Sequence, residues 1–199
     1  MPDMRGQPDF YNDLAGTLAQ AWALLARGVK DRRSGFHTPT IATIGLDGGP
    51  RARTVVLRGC DAARAELRFH TDARAAKIAE LARNPRIALH AYDAGQKIQI
   101  RIEGVAAIHA DDAVADAAWA GSREFSRVCY GITPGPGSVI ESAGSFSLPQ
   151  DTAGIAAGRE DFRAVVIAAR RLEWLYLAHE GHRRALFDLT TGQGRWLAP

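Results

Sequence analysis

Between Phe10 and Val29 the apolar residues Leu14, Leu18, Ala21, Trp22 and Leu25 recur at helical spacing, with Gly28 placed as a C-cap. The segment reads as an amphipathic helix. From residue 36 the period changes. Thr38 to Leu46 is β-branched and apolar, Asp47-Gly48-Gly49-Pro50 is a turn signal, and Arg51 to Arg58 resumes as strand, which together predict a β-hairpin. Leu67 to Thr71 predicts a third strand, and Ala73 to Ala82 a short helix stopped at Asn84-Pro85. Arg86 to Tyr92 and Lys97 to Ile108 follow as strands; in the second, Ile98, Ile100 and Ile102 share one face and Gln99, Arg101 and Glu103 the other. Asp111 to Ala120 and Arg123 to Tyr130 read as helices, and Gly131 to Asp151 as a loop. Phe162 to Leu177, Arg183 to Leu189 and Gly194 to Leu197 complete the strands.

Strict β-α-β alternation is missing, so the order argues an antiparallel β-barrel with peripheral helices rather than a doubly wound nucleotide fold. No repeat or linker divides the chain. Residues 1–199 read as one domain: an N-terminal helix (1–35), core hairpins with a short helix (36–110), helices and loop (111–160), and closing strands (161–199).

Composition narrows the function classes. The chain has 199 residues, 46% hydrophobic and 24% charged, which suits a folded globular protein. Its formal charge of +3 is too small and scattered to indicate nucleic acid. Of 25 basic side chains 22 are arginine, a bias read here as mostly genomic. Cys60 and Cys129 are the only cysteines and lie far apart, so neither a disulfide framework nor a thiolate zinc site is expected. Without an apolar leader or a long apolar run, the expectation is a cytoplasmic protein with no membrane and no nucleic-acid partner.

The common catalytic signatures are missing: no G-x-x-x-x-G-K-[ST], no G-x-S-x-G and no G-x-G-x-x-G. His179-Glu180-Gly181-His182 spaces its histidines by three in a turn, so it reads as a polar turn rather than a metal site, and no metal is expected. Arg53-Thr54-Val55-Val56-Leu57-Arg58 places a cation at each end of an apolar strand, and Leu67 to Asp72 ends on polar groups. Lys77 opens the next helix, where free N–H groups favour an anion. Arg53, Thr71 and Lys77 are therefore candidates to converge on one phosphate; the alternative is three solvated side chains.

The runs R-T-V-V-L-R-G, L-R-F-H-T-D-A-R-A-A-K-I-A-E-L-A-R-N-P-R-I-A-L and K-I-Q-I-R-I-E-G-V-A, with the closing G-H-R-R-A-L-F and R-W-L-A-P, follow one another in this order. Together they resemble the pyridoxamine 5′-phosphate oxidase-like, FMN-binding split-barrel family, over most of residues 36–199. The resemblance is closer to that family's uncharacterised FMN-binding branch than to the biosynthetic oxidase. It implies a mainly β (α+β) fold, an antiparallel split β-barrel, with FMN held between the subunits of a homodimer. Arg53 would grip the FMN phosphate with Thr71 and Lys77, and Thr54, Val55, Val56 and Leu57, with Arg58 at the strand's end, would line the flavin. His70 would touch the cofactor, Gln99 would hydrogen-bond the isoalloxazine ring, and Arg184 would approach it from the last strands. Arg58, Trp119, Arg123 and His182 would face a small-molecule substrate.

The chain departs from the family pattern at several of these places. Ala75-Ala76 replaces a Ser-Arg pair, which removes two phosphate ligands. Arg58 stands for a lysine, Trp119 for a tyrosine, and Glu180 falls where the oxidase has a substrate-binding arginine. The activity implied is hydride transfer from a substrate carbon to flavin N5, with electrons passed on to an acceptor such as O₂; the cofactor carries the chemistry, and no general base is assigned. Two other readings stay open: a non-catalytic flavin-binding protein for storage or sensing, and a split barrel that binds haem through a histidine.

Overall fold

A computed structural model of the protein describes residues 9–179 and 181–199. Glu180, and the N-terminal residues before Asp9, lie outside the described residues. A short 3₁₀ turn at Asp9–Asn12 leads into α1 (Leu14–Lys30). Asp13 caps this helix by accepting from the Ala15 and Gly16 amides, satisfying two donors that the first turn leaves open. Trp22, Leu24 and Leu25 carry its apolar stripe into the core.

Among the described residues nine strands form one antiparallel sheet: β1 (Thr40–Ile44), β2 (Pro50–Thr54), β3 (Leu57–Asp61), β4 (Glu66–Asp72), β5 (Arg86–Asp93), β6 (Ile98–His109), β7 (Phe162–Tyr176), β8 (Arg183–Asp188) and β9 (Gln193–Leu197). The order is β2-β1-β5-β6-β7-β4-β3, with β8 and β9 branching from β7. One edge of β7 pairs with β6 from Ala164 to Tyr176. Its other edge is shared, Phe162–Ala168 with β4 and Arg171–Tyr176 with β8. The sheet splits there. It curls back on itself where the Val55 amide donates to Pro39 O and the Leu57 amide to His37 O, joining the start of β3 to the segment before β1.

The expected strand Arg51 to Arg58 is therefore two strands. Thr54 ends β2, and the chain crosses to a new partner before β3 begins at Leu57. A β-bulge between Leu57 and Gly59 follows at once. The uninterrupted apolar run Val55-Val56-Leu57 spans the break, which is why the sequence reads as one strand. The helix expected from Ala73 is α2 (Ala76–Arg83), because Asp72 binds the Arg74 amide and holds residues 73–75 in a turn. The helix expected over Arg123 to Tyr130 is shorter, α4 (Glu124–Arg127) followed by a 3₁₀ turn; α3 (Ala113–Ala120) matches its expectation. A further helix, α5 (Thr152–Ala157), was not expected; its signal is the Asp151 cap.

The core fills the barrel, with Ile41, Phe69, Leu89, Ile100, Ile102, Leu172 and Trp174 essentially inaccessible. A smaller cluster of Ala118, Tyr130, Phe162 and Ala164 lies under α3. No helix among the described residues is long and apolar enough to cross a membrane. At Gly104, where β6 bulges against β7, a Cβ would lie 2.4 Å from the Ala168 carbonyl oxygen. Backbone there cannot give way without unpairing the two longest strands. Gly104→Ala is expected to lower stability by about 1–3 kcal/mol, the usual cost of overpacking, read as a lower urea midpoint; an unchanged midpoint would show that the bulge relaxes freely.

Candidate functional site

The residues singled out from sequence fall into three groups. The first lies at the N-terminal end of α2. Arg53 Nη2 donates to Glu80 Oε2 at 2.6 Å, Arg53 Nη1 donates to Thr43 Oγ1, and the Thr43 hydroxyl donates to the same Glu80 oxygen at 2.6 Å. Glu80 and Thr43 are buried. Lys77 Nζ donates to Thr71 Oγ1 at 3.0 Å. Burial, and then the nearby Arg53 guanidinium, hold the Lys77 ammonium below its ordinary pKa. Lys77 thus lies beside Thr71 and within electrostatic reach of Arg53. Glu80 compensates part of the charge, yet a guanidinium has five donors and among the described residues only Glu80, Thr43 and Arg51 O use them. Ala75, the N-cap, offers no side-chain acceptor, and the Ala76 and Lys77 amides have no backbone partner among the described residues. Free helix amides beside two cations fit a phosphate monoester.

Next to this cluster the chain between β2 and β3 presents backbone. Val55 and Leu57 turn into the core, while Thr54 is exposed and Val56 half-buried. The Val56 amide has no backbone partner among the described residues.

The second group is a cavity of about 360 Å³ on the other side of β4. Strand alternation separates two neighbours expected to act together: Thr71 points to α2, and His70, with Arg68, points into this cavity. The bulge in β3 turns Arg58 into the cavity too, and Arg123, which caps α4, reaches it from the far wall. His70 packs edge-on against Phe162 at 4.9 Å. Burial, with Arg68 and Arg58 close by, pulls its imidazole from 6.5 down to about 3, so it is neutral at physiological pH. Trp119 does not line this cavity. It packs against Phe162 and Tyr130, with the Arg127 guanidinium 4.9 Å over its ring.

The third group lies on the outer face of the sheet. Gln99, Leu175 and Arg184 stand in one row across β6, β7 and β8. Gln99 Oε1 lies 3.0 Å from His90 Nε2, and Arg184 Nη2 donates to Glu173 Oε2 at 3.1 Å while its Nε is buried without a partner. His182 is exposed just before β8. A hollow with an apolar floor of Ala42, Ile44, Pro50, Ala88 and Val105, also lined by the charged residues Arg86, Glu103, Arg170 and Arg171, continues this face. Among the described residues no cluster suits a metal ion, the His179–His182 turn included except for Glu180.

Sequence reasoning missed Glu80 and Thr43, which hold Arg53, and Lys30, Arg32 and Arg68 in the cavity. Glu80 follows Lys77 by three residues on one helix and Arg68 precedes His70 by two on one strand, so both shared a face with a residue already singled out.

Residues 19–110 match the sequence profile described as pyridoxamine 5′-phosphate oxidase, FMN-binding domain. The chain is 33% identical over 137 residues to a pyridoxine/pyridoxamine 5′-phosphate oxidase 2 of Arabidopsis thaliana, spanning 64% of this chain and 69% of that protein. It is 39% identical over 89 residues to the pyridoxine/pyridoxamine 5′-phosphate oxidase of Cupriavidus metallidurans, 45% of this chain but only 41% of the relative. The chain thus spans less than half of that bacterial relative. Among solved structures, a pyridoxamine 5′-phosphate oxidase-related, FMN-binding protein from Nostoc punctiforme superposes with a TM-score of 0.71 at 21% identity, over 90% of this chain and 96% of that one. PhzG from Burkholderia lata, in complex with tetrahydrophenazine-1-carboxylic acid, also gives 0.71, at 17% identity over 97% and 98%. At these identities the structures establish the shared fold.

The depressed His70 pKa has a consequence for stability. The unfolded chain takes up a proton below pH 6.5 that the folded chain refuses until about pH 3, so stability is complete above 6.5 and falls as pH drops through that window. A His70→Gln variant should lose less stability than the parent between pH 7 and pH 4.5 in urea titrations. Parallel losses would show that His70 is not held neutral.

Proposed function

Because the chain belongs to the pyridoxamine 5′-phosphate oxidase-like, FMN-binding split-barrel family, with FMN as its cofactor, we propose that it is an FMN-dependent oxidoreductase acting on a small anionic molecule. The observation that carries this reading is the grouping of Lys77 beside Thr71, and within electrostatic reach of Arg53, at the open start of α2, back to back across β4 with a cation-lined cavity. One side suits a cofactor phosphate and the other a substrate.

Bound FMN supplies two-electron oxidation of a substrate carbon–hydrogen bond and returns the electrons to an acceptor such as O₂. The residues of this chain bind and orient. Arg53 and Lys77 hold the phosphate, with Glu80 and Thr43 fixing the Arg53 fork so that little side-chain entropy is lost on binding. The Val56 amide and the Gln99 amide group offer hydrogen bonds to the ring edge, and His90 orients Gln99. Arg184, steadied by Glu173, brings positive charge where a reduced ring carries negative charge. His70 stays neutral and donates or accepts without adding charge. Arg58 and Arg123 receive the anionic end of the substrate.

We further propose a homodimer. The Gln99–Arg184 row and the hollow share the outer face of the barrel, so a second copy over this face would supply the ring contacts that complete a cofactor site begun by the phosphate cluster.

Arg53→Ala alone strands the buried Glu80 carboxylate and would confound a binding measurement with loss of fold, so the paired Arg53→Ala, Glu80→Gln variant is the one to test. It should bind FMN more weakly by ~1.5–3 kcal/mol, the range for hydrogen bonds to charged groups, by fluorescence quenching, and bind riboflavin about as the parent does. Equal losses for both ligands would place Arg53 on the ring or the fold instead of the phosphate.

Pyridoxamine 5′-phosphate is expected to be a poor substrate. Its amine is cationic, no acidic residue among those described lines the cavity, and Trp119, in place of a tyrosine, is packed away from it. The kcat/KM for this compound is expected to lie at least a hundredfold below that for the preferred substrate; turnover comparable to that substrate would overturn this reading.

A further inference from the structure

The cavity behind β4 holds more positive charge than Arg58 and Arg123 contribute. Lys30 at the end of α1, Arg32 just beyond it and Arg68 on β4 also line it, making five cations, and among the described residues no acidic one lines it. Among the described residues none of the five takes part in a salt bridge. Elsewhere several arginines of comparable burial, Arg53, Arg74, Arg159 and Arg184 among them, do have a carboxylate partner. Arg68 Nε and His70 Nε2, polar atoms of two lining residues, are buried without a hydrogen-bond partner among the described residues. Leaving such groups unpaired costs free energy, which a ligand that shifts these side chains can recover.

The arrangement is built from four separate elements, so it is not one solvated helix face. Arg68 folds over Gly59, where an added Cβ would lie 3.1 Å from its Cβ and 3.3 Å from its Nε. Gly59 stands directly after Arg58 and opposite Arg68 in the β3–β4 register, which puts the two guanidinium-bearing residues side by side. Lys30 and Arg32 close the cavity from the α1 side, and Arg123 from the α4 side. A single phosphate monoester neutralises at most two charges and occupies a small part of about 360 Å³.

We propose that this cavity binds a small molecule carrying two separate anionic groups, a phosphate or carboxylate at Arg58 and Arg123 and a second carboxylate or phosphate at Arg68, Lys30 and Arg32. That this molecule is the substrate rests on the flavin reading above; that it is doubly anionic rests on the charge and the unpaired donors alone. Arg68 and Arg32 are then the specificity-determining residues, and a substrate bearing a free ammonium group is excluded by repulsion.

The test uses FMN-loaded protein, with flavin absorbance recorded for each preparation, and isothermal titration with matched probes. Phosphoglycolate is compared with methyl phosphate, and 4-carboxyphenyl phosphate with phenyl phosphate, so that each pair differs by one carboxylate at a different reach. At least one carboxylated probe should bind tenfold or more tightly than its partner. Arg32→Gln, at an exposed position that folding does not depend on, should remove at least threefold of that preference, and Arg68→Gln most of it, while phenyl phosphate affinity and flavin content stay within twofold. Equal affinities within both pairs, or a preference that survives both substitutions, would overturn the proposal. A preference seen in protein that fails to take up FMN would support doubly anionic binding and reject the flavin reading, so the two ideas fail separately.

Discussion

The pairing of β6 with β7 is the constraint on which the other elements depend. Twelve residues of β6 run against β7, and β7 then divides its remaining edge between β4 and β8. Such a long flat pair would leave two faces to cover; the bulge at Glu103–Gly104 bends it, and the bend lets Ile100, Ile102, Leu172 and Trp174 enclose a common core. Gly104 permits the close approach of the Ala168 carbonyl, so one residue without a side chain sets the curvature of the barrel. Because β4 hangs on the first half of β7, the position of Thr71 and His70 is fixed by the same pairing.

From β4 the charges separate. On one face Lys77 and Arg53 are drawn together, tolerable because Glu80 and Thr43 sit beneath Arg53 and because free helix amides extend the same anion-favouring field. On the other face Arg58, Arg68 and Arg123 line one cavity with no carboxylate among the described residues, and burial, then Arg68 and Arg58, keeps the His70 imidazole neutral. The first arrangement is compensated and ready for one anion. The second carries uncompensated charge, which a folded protein retains at a cost to stability unless a ligand offsets it.

The outer face of the sheet presents a different chemistry. Its polar row is already ordered by internal pairs, His90 with Gln99 and Glu173 with both Arg101 and Arg184, so its donors are oriented before anything binds. Preorganisation of this kind lowers the entropic cost of holding a planar ligand or a second subunit.

Much of the fold was legible in sequence because it rests on local period. Alternating Ile98, Ile100 and Ile102 determine a half-buried strand wherever it lies, Asp47-Gly48-Gly49 determines a turn, and the spacing of Leu14, Leu18, Trp22 and Leu25 determines a helix face. The ordered motifs also marked Arg53, Thr71 and Lys77, since the strand end and the helix start that bring them together are close in the chain. What the tertiary structure decided depends on partners far apart in sequence. The break at Val55-Val56 is invisible in a continuous apolar run, because its cause is hydrogen bonding to residues 37 and 39. Glu80 became the counter-charge of Arg53 only when α2 packed on β1. His70 and Thr71, neighbours in the chain, were separated onto opposite faces of β4, and Trp119 went to an aromatic cluster instead of the cavity. Lys30, Arg32 and Arg68 looked like scattered surface charge. The folding of α1 against β3, which is paired with β4, gathered them, because a charge acts through distance in space and sequence records only distance along the chain.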